Sequence, residues 1–332
     1  MMKILLADRL PDFVEDELRA LNFEVVQRPG LSADELPGAI VGMHVLVVRS
    51  TRVTSETIEA ADALQLVIRA GAGTNTIDCV GAASKAINVA NCPGKNAVAV
   101  AELTLGLILS LDRNIPDNVI SLRDGRWEKK RFGKSKGLHG QTLGILGMGR
   151  IGVEVASRAQ AFGMNCIAWS RSLTNEKAQQ LGVERCESVA AVCERADIVT
   201  VHLAFSDETR HMVGAAEIAR MKPGALLVYM ARGGVVHDEA MLEAVRGGRI
   251  RAAADVYEDE PKGGSANYEG PFREIDGFYG THHIAASTDQ AQEAVASEVV
   301  RIIAHWLETG TVTNCVNRSG RTPAKGQIIV RH

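Results

Sequence analysis

Thr142-Leu-Gly-Ile-Leu146-Gly147-Met148-Gly149-Arg150-Ile151-Gly152 is the stretch whose reading decides the fold. It opens with a short, mostly apolar run of strand length and continues into three glycines spaced G-x-G-x-x-G. Residues 151–162 then carry apolar side chains at helical spacing. Strand, tight turn and helix in that order build a place for the pyrophosphate of a dinucleotide. Gly147 permits the turn, Gly149 lets the backbone approach the anion, and Gly152 lets the helix pack on the strand. The amides and dipole of the helix N-terminus attract the negative charge.

Outward from this motif the chain alternates strand-length apolar runs with amphipathic stretches. Strands are expected at 3–7, 23–26, 45–48, 66–68 and 87–90, with helices at 12–21 and 55–63. Ser55 is the expected N-cap of the second helix. A second alternation places strands at 143–146, 166–169, 198–201, 226–230, 251–254 and 278–281. Such alternation implies α/β architecture, parallel sheets with crossover helices on both faces. Residues 98–111 form a nearly all-apolar helix interrupted by Glu102 and Thr104, expected to be buried between domains or subunits. The helix at 289–307 is expected to return to the first unit, and 262–270 reads as a surface loop.

The bulk properties agree. A chain of 332 residues exceeds what one core usually organises, so two domains are expected. Apolar residues make up 46% and charged residues 23%, and a net charge of −3 argues against a nucleic-acid binder. No pair among the six cysteines has the C-x-x-C spacing of a zinc or redox site, so no metal is expected and reduced thiols are. The N-terminal apolar run is broken at once by Asp8 and Arg9, which reads as a first strand rather than a signal peptide. No run approaches membrane-helix length, and the cytoplasm is the expected location.

An NAD-selective site places an acidic residue at the end of the next strand, about 20 residues past the glycines, to hold the ribose 2′-hydroxyl. Here that strand ends in Trp169-Ser170-Arg171, with no carboxylate. Ser170 and Arg171 suit a 2′-phosphate, which favours NADP; Arg171 stacked beside the adenine would leave NAD in use. Selectivity between NAD and NADP stays open at this point.

Three polar residues follow the later strands: Arg232 in Ala-Arg-Gly-Gly, Glu260 before Pro261, and His283 before Ile284. Each alone has an ordinary structural explanation. Together they suit hydride chemistry at a C2 alcohol. A histidine removes the hydroxyl proton near neutrality, a carboxylate orients its ring, and an arginine clamps the substrate carboxylate and polarises the C2 oxygen.

The words around these residues resemble the D-isomer-specific 2-hydroxyacid dehydrogenases from Val47 to Asn317. Ala231-Arg232-Gly-Gly, Asp255-Val-Tyr-Glu-Asp-Glu260-Pro and His283-Ile-Ala-Ala-Ser-Thr288 carry the resemblance. It implies two Rossmann-like or flavodoxin-like parallel-sheet domains, with the active site in the cleft between them. The substrate-binding domain would comprise 1–97 and 287–318, and the NAD(P)-binding domain 98–286. Arg232, Glu260 and His283 would be catalytic. Met148, Arg150, Ile151, His202, Ala231 and Asp255 would join the glycines, Ser170 and Arg171 around the cofactor.

The phosphoglycerate dehydrogenase branch is the nearest, through Val48-Arg49-Ser50-Thr51, Arg69-Ala-Gly-Ala72-Gly73-Thr-Asn75, Asn91-Cys-Pro93 and Asp124-Gly-Arg-Trp-Glu128. That branch acts on a phosphorylated 2-hydroxy acid in serine synthesis. The resemblance implies substrate contacts at Arg49, Ser50, Arg69, Ala72, Gly73, Asn96 and, by way of a neighbouring subunit, Lys129 and Arg131. A homodimer or larger homo-oligomer follows. An NADP(H)-dependent glyoxylate or hydroxypyruvate reductase and an NAD-sensing corepressor remain as other readings.

Some positions depart from the family pattern. Tyr229-Met230 stands where Asn and a small residue are usual, and the change unsettles the strand end. His282 replaces a proline, so two adjacent histidines compete for one role, and the place before Ile284 favours His283. His237 stands where aspartate is common and reads as a loop residue. Gln327–His332 resembles the opening strand of an ACT regulatory domain, with 319–332 as its tail. No serine feedback is expected through this chain.

Overall fold

Val45-Leu-Val-Val48 is buried at every position, as a central strand covered on both faces requires. In the computed structural model, which describes residues 1–261, 265–273 and 275–317, it is β3 of a first sheet. The others are β1 (Met2–Leu6), β2 (Phe23–Gln27), β4 (Leu66–Arg69) and β5 (Asn88–Asn91). The order is β2-β1-β3-β4-β5, and every pairing is parallel.

Because side chains alternate across a strand, each strand feeds two cores. Ile4, Leu6, Val45, Val47 and Ile68 face the helices Phe13–Ala20 and Asp289–Thr309. Leu5, Leu46, Val48, Val67 and Val89 pack against Leu36, Ile40 and Ile58 on the other face. The chain divides into Met1–Asn96 with the described residues from Thr288 on, and Ala97–Ser287. The helix Asp289–Thr309 therefore belongs with the first sheet, where Val299, Ile302 and Ile303 are fully buried.

The second unit carries β6 (Thr142–Leu146), β7 (Asn165–Trp169), β8 (Glu184–Arg185), β9 (Ile198–Val201), β10 (Ala225–Tyr229), β11 (Ile250–Ala254) and β12 (Phe278–Gly280). They lie in the order β12-β11-β10-β9-β6-β7-β8, again all parallel. The strand order reverses between β6 and β9. At such a switch point the following connections leave to opposite faces, opening a crevice at the C-terminal strand ends.

Several sequence expectations change in detail. The two-residue edge strand β8 was not legible, since Glu184-Arg185 has no apolar pattern. Thr54, not Ser55, caps the helix Ser55–Ala60, its hydroxyl accepting from the Thr57 amide. The apolar helix, observed as Ala97–Arg113, buries Val100, Leu105, Ile108 and Leu111 against Leu143, Ile145, Val228 and Ala253 of its own unit. Its apolar side chains are thus used in the core of its own unit. Residues 262–264 of the glycine-rich loop and the ACT-like segment 327–332 lie outside the described residues. Among the described residues no helix is long and apolar enough to cross a membrane.

Candidate active site

The glycine turn lies at the C-terminal end of β6, and its three glycines answer to different constraints. Gly147 has φ +102, and a Cβ there would lie 2.8 Å from the His202 backbone. A side chain at Gly152 would lie 2.1 Å from the Gly147 carbonyl oxygen. Gly149 is extended (φ −78, ψ −162), and an added Cβ would meet nothing within 4 Å. Nothing in the chain itself demands glycine at Gly149, so the space over it fits a group approaching the backbone closely. No side chain caps the following helix, Arg150–Ala161. Met148 is buried and Ile151 half-buried, while Arg150 is exposed. The donor set and the open cradle suit a pyrophosphate.

At the neighbouring strand ends, Ser170 is half-buried and Arg171 exposed after β7. The Arg171 guanidinium is engaged at 2.5 Å by Glu208, from the connection after β9. A carboxylate therefore does reach the end of β7, but from a distant part of the chain. His202, immediately after β9, shares a 2.8 Å hydrogen bond with the Thr200 hydroxyl through Nε2. Burial drives its imidazole down to about 3, so the ring is neutral at physiological pH.

Arg232, Glu260 and His283 follow β10, β11 and β12 on the same edge of the sheet. Their segments converge. His283 Nδ1 lies 2.8 Å from Glu260 Oε2, while Glu260 Oε1 accepts from the Tyr257 amide at 3.0 Å. Burial raises the Glu260 pKa, but the bonds from His283 and Tyr257 and the nearby Arg232 charge outweigh it, leaving the carboxyl below its usual range. An ionised Glu260 can only accept, so His283 presents an Nδ1 proton to it, and in the neutral ring the lone pair falls on Nε2.

His283 has φ +53, a left-handed conformation that costs a non-glycine residue about 1 kcal/mol or more. Asp255 enforces it. Its carboxylate, 1% exposed, accepts from the Thr281 hydroxyl (2.6 Å) and the Ile284 (2.8 Å) and Ala285 (2.9 Å) amides. The bonds that Asp255 makes are thus spent on shaping the histidine loop. Of the two adjacent histidines, it is His283 whose ring meets Glu260. Arg232 is half-buried, and its Nη1 donates to the carbonyl of Ala231, itself buried, at 2.9 Å.

In the first unit the expected substrate residues follow β3, β4 and β5. The Arg49 amide and the Ser50 amide and hydroxyl bond Asp8, at 2.6, 3.1 and 2.7 Å. Arg49 Nη1 also donates to Gln292 at 3.1 Å. Arg69 folds back over Gly71, and the Asn91 side-chain Nδ2 donates to the Ala72 carbonyl at 2.6 Å, shaping the backbone of Ala72 and Gly73. Asn96 is half-buried at the end of this unit. Lys129 and Arg131 belong to the second unit, on the exposed helix Lys129–Phe132, where Arg131 pairs with Glu128 at 3.1 Å.

Residues 105–285 match the family model described as D-isomer specific 2-hydroxyacid dehydrogenase, NAD binding domain. The chain belongs to this family. Among its relatives, a D-3-phosphoglycerate dehydrogenase of Methanocaldococcus jannaschii is 42% identical over 321 residues, 96% of this chain and 60% of the relative. A hydroxypyruvate reductase of Thermotoga maritima is 41% identical over 275 residues, 82% of this chain and 88% of the relative. Among solved structures, an NADPH-dependent glyoxylate/hydroxypyruvate reductase of Sinorhizobium meliloti, in complex with NADP and malonate, is similar with a TM-score of 0.78 at 26% identity, covering 95% of this chain and 96% of that one. The chain spans about 60% of the length of the phosphoglycerate dehydrogenases it matches.

The matched NAD-binding domain falls within the second unit and contains the glycine turn. Two supporting residues of this family member, Asp8 and Glu208, were not singled out from sequence. Asp8 carried a signal, a carboxylate closing the first strand beside the first sheet's switch point. Glu208 carried none, lying 37 residues from its partner. His237 was read as a loop residue. It caps the helix Asp238–Arg246, with Nδ1 accepting from the Ala240 amide at 3.2 Å, a role open to any side chain with a suitable acceptor.

Proposed function

We propose that this chain is an NAD(P)-dependent dehydrogenase that oxidises D-3-phosphoglycerate to 3-phosphohydroxypyruvate. The observation that carries the reading is the His283–Glu260 pair, built on the strand ends of the unit that holds the glycine turn. In this reading His283 Nε2 takes the C2 hydroxyl proton as hydride leaves C2, and gives it back in the reverse direction. Glu260 fixes the ring through Nδ1 and favours the imidazolium. Arg232 binds the substrate carboxylate and polarises the C2 oxygen. A nicotinamide dinucleotide, its pyrophosphate on Gly147–Gly152, would supply the hydride acceptor.

Arg49 and Arg69, with Ser50, Ala72, Gly73 and Asn96, would take the phosphate and carboxylate ends of the substrate. Lys129 and Arg131 would contribute from a second subunit of a homodimer or larger homo-oligomer. Arg49→Ala or Arg69→Ala should raise KM for 3-phosphoglycerate, and unchanged kinetics in both would remove the phosphate argument. A second reading, a glyoxylate or hydroxypyruvate reductase, is favoured by Arg171 at the ribose end of the cofactor site. Parallel kcat/KM measurements on 3-phosphoglycerate, hydroxypyruvate and glyoxylate, each with NAD(H) and NADP(H), separate the two.

A further inference from the structure

β10 ends in a tyrosine that is fully buried. Its hydroxyl sits inside the turn that carries Arg232. The Val235 amide donates to it at 3.0 Å, and the hydroxyl in turn donates to the Arg232 carbonyl. The direct bond across that turn, from the Val235 amide to the Arg232 carbonyl, is stretched to 3.4 Å. The phenol is therefore wedged into the turn as a bridge between its first and last residues, and both its donor and its acceptor capacity are used. Burial pushes the Tyr229 hydroxyl up to about 12, so it keeps the proton it donates.

The surroundings leave the turn few other supports near Arg232. Gly233 lies against the Tyr257 carbonyl, where an added Cβ would come within 2.0 Å, and the Gly234 carbonyl accepts from the His211 amide at 2.7 Å. These contacts hold the middle of the turn. The Arg232 guanidinium bonds only the adjacent Ala231 carbonyl among the hydrogen bonds described for it, at 2.9 Å, so its direction follows the backbone that carries it.

We infer that Tyr229 is a positioning residue for Arg232: its hydroxyl holds the turn open and aims the guanidinium at the substrate. The inference rests on the proposed substrate-binding role of Arg232. Removing the hydroxyl lets the Val235 amide and Arg232 carbonyl close onto each other, which moves Arg232 without unsatisfying either group.

The test is Tyr229→Phe in the full chain, alone and combined with Arg232→Lys. With 3-phosphoglycerate and hydroxypyruvate as substrates, Tyr229→Phe should raise KM roughly tenfold with a smaller change in kcat. NADH affinity, read by fluorescence, should stay within about twofold. In the Arg232→Lys background the same substitution should add little, because the two act as one unit. Kinetics of Tyr229→Phe within twofold of the parent, or a full additional loss in the Arg232→Lys background, overturn the inference. If the phenylalanine variant does not fold, Tyr229→His takes its place: a ring too short to bridge the turn should raise KM, and an unchanged KM overturns the inference equally. Failure of the underlying reading looks different, as unchanged KM and kcat in Arg232→Lys itself.

Discussion

His283 Nδ1 lies 2.8 Å from Glu260 Oε2, with the histidine held at φ +53 by amide bonds to a buried aspartate. The pairing fixes which ring nitrogen is free. His283→Ala should lower kcat by about 100- to 10,000-fold with substrate binding retained. Glu260→Gln, which keeps the contact and loses the charge, should cost about 10- to 100-fold. His282→Ala should leave kcat within about threefold. Steady-state kinetics of the three decide the assignment, and a larger loss for His282 than for His283 would reverse it.

The glycines of the turn separate by mechanism. Gly149→Ala has room for its methyl, so the variant should fold with a melting temperature within about 3 °C of the parent while losing most dinucleotide affinity. Gly152→Ala drives a methyl into the Gly147 carbonyl at 2.1 Å and should cost about 1–3 kcal/mol of stability. Thermal unfolding with NADH titration distinguishes them. Equal loss of stability in both variants would mean that the space over Gly149 serves packing.

If the ribose end of the cofactor lies at the end of β7, cofactor choice would turn on Arg171 and Glu208, paired at 2.5 Å with side chains 81% and 73% exposed. An exposed pair of this kind is worth at most about 1 kcal/mol, so a 2′-phosphate can compete for the guanidinium, though Glu208 also repels it. Glu208→Gln should raise the ratio of kcat/KM for NADP over NAD about three- to tenfold. Arg171→Ala should lower it. A ratio indifferent to both substitutions places selectivity elsewhere.

Glu298 gives the first unit an acid limit. It is 5% exposed and bonded to Arg301 at 2.5 and 2.8 Å, to Lys95 at 3.2 Å and to Asn314 at 2.9 Å. The Arg301 bonds, ahead of Lys95, hold its pKa at about 2 against an ordinary 4.5. The folded pKa is lowered, so the contribution is fully present above about 4.5 and is lost as pH falls toward 2. Glu298→Gln should cost about 1–3 kcal/mol at neutral pH, and the gap to the parent should narrow between about pH 5 and 3. Urea unfolding across that range reads it, and parallel curves would contradict the assignment.

Local pattern carried much of the architecture. Runs such as Val45–Val48, apolar throughout, and Ile198–Val201, apolar but for Thr200, announce central parallel strands because strands covered on both faces are buried at every position. The edge strand Glu184–Arg185 escaped because an edge buries little, and hydrophobic patterning reports burial alone. The cap of the helix Ser55–Ala60 was misplaced by one residue, since Thr54 and Ser55 offer the same hydroxyl and only the backbone angle separates them.

The sequence by itself determined the glycine turn, the two runs of alternating strands and the chain order Arg232, Glu260, His283, because each depends on residues close together. The tertiary structure decided what depends on residues brought from afar. It set the ring of His283, and not that of His282, against Glu260, placed Asp255 under the histidine loop, and carried Glu208 to the strand end at Arg171. The physical reason is the same in each case. Hydrogen bonds and charges act over a few ångströms in space, and a parallel sheet brings together strand ends that the chain separates by tens of residues.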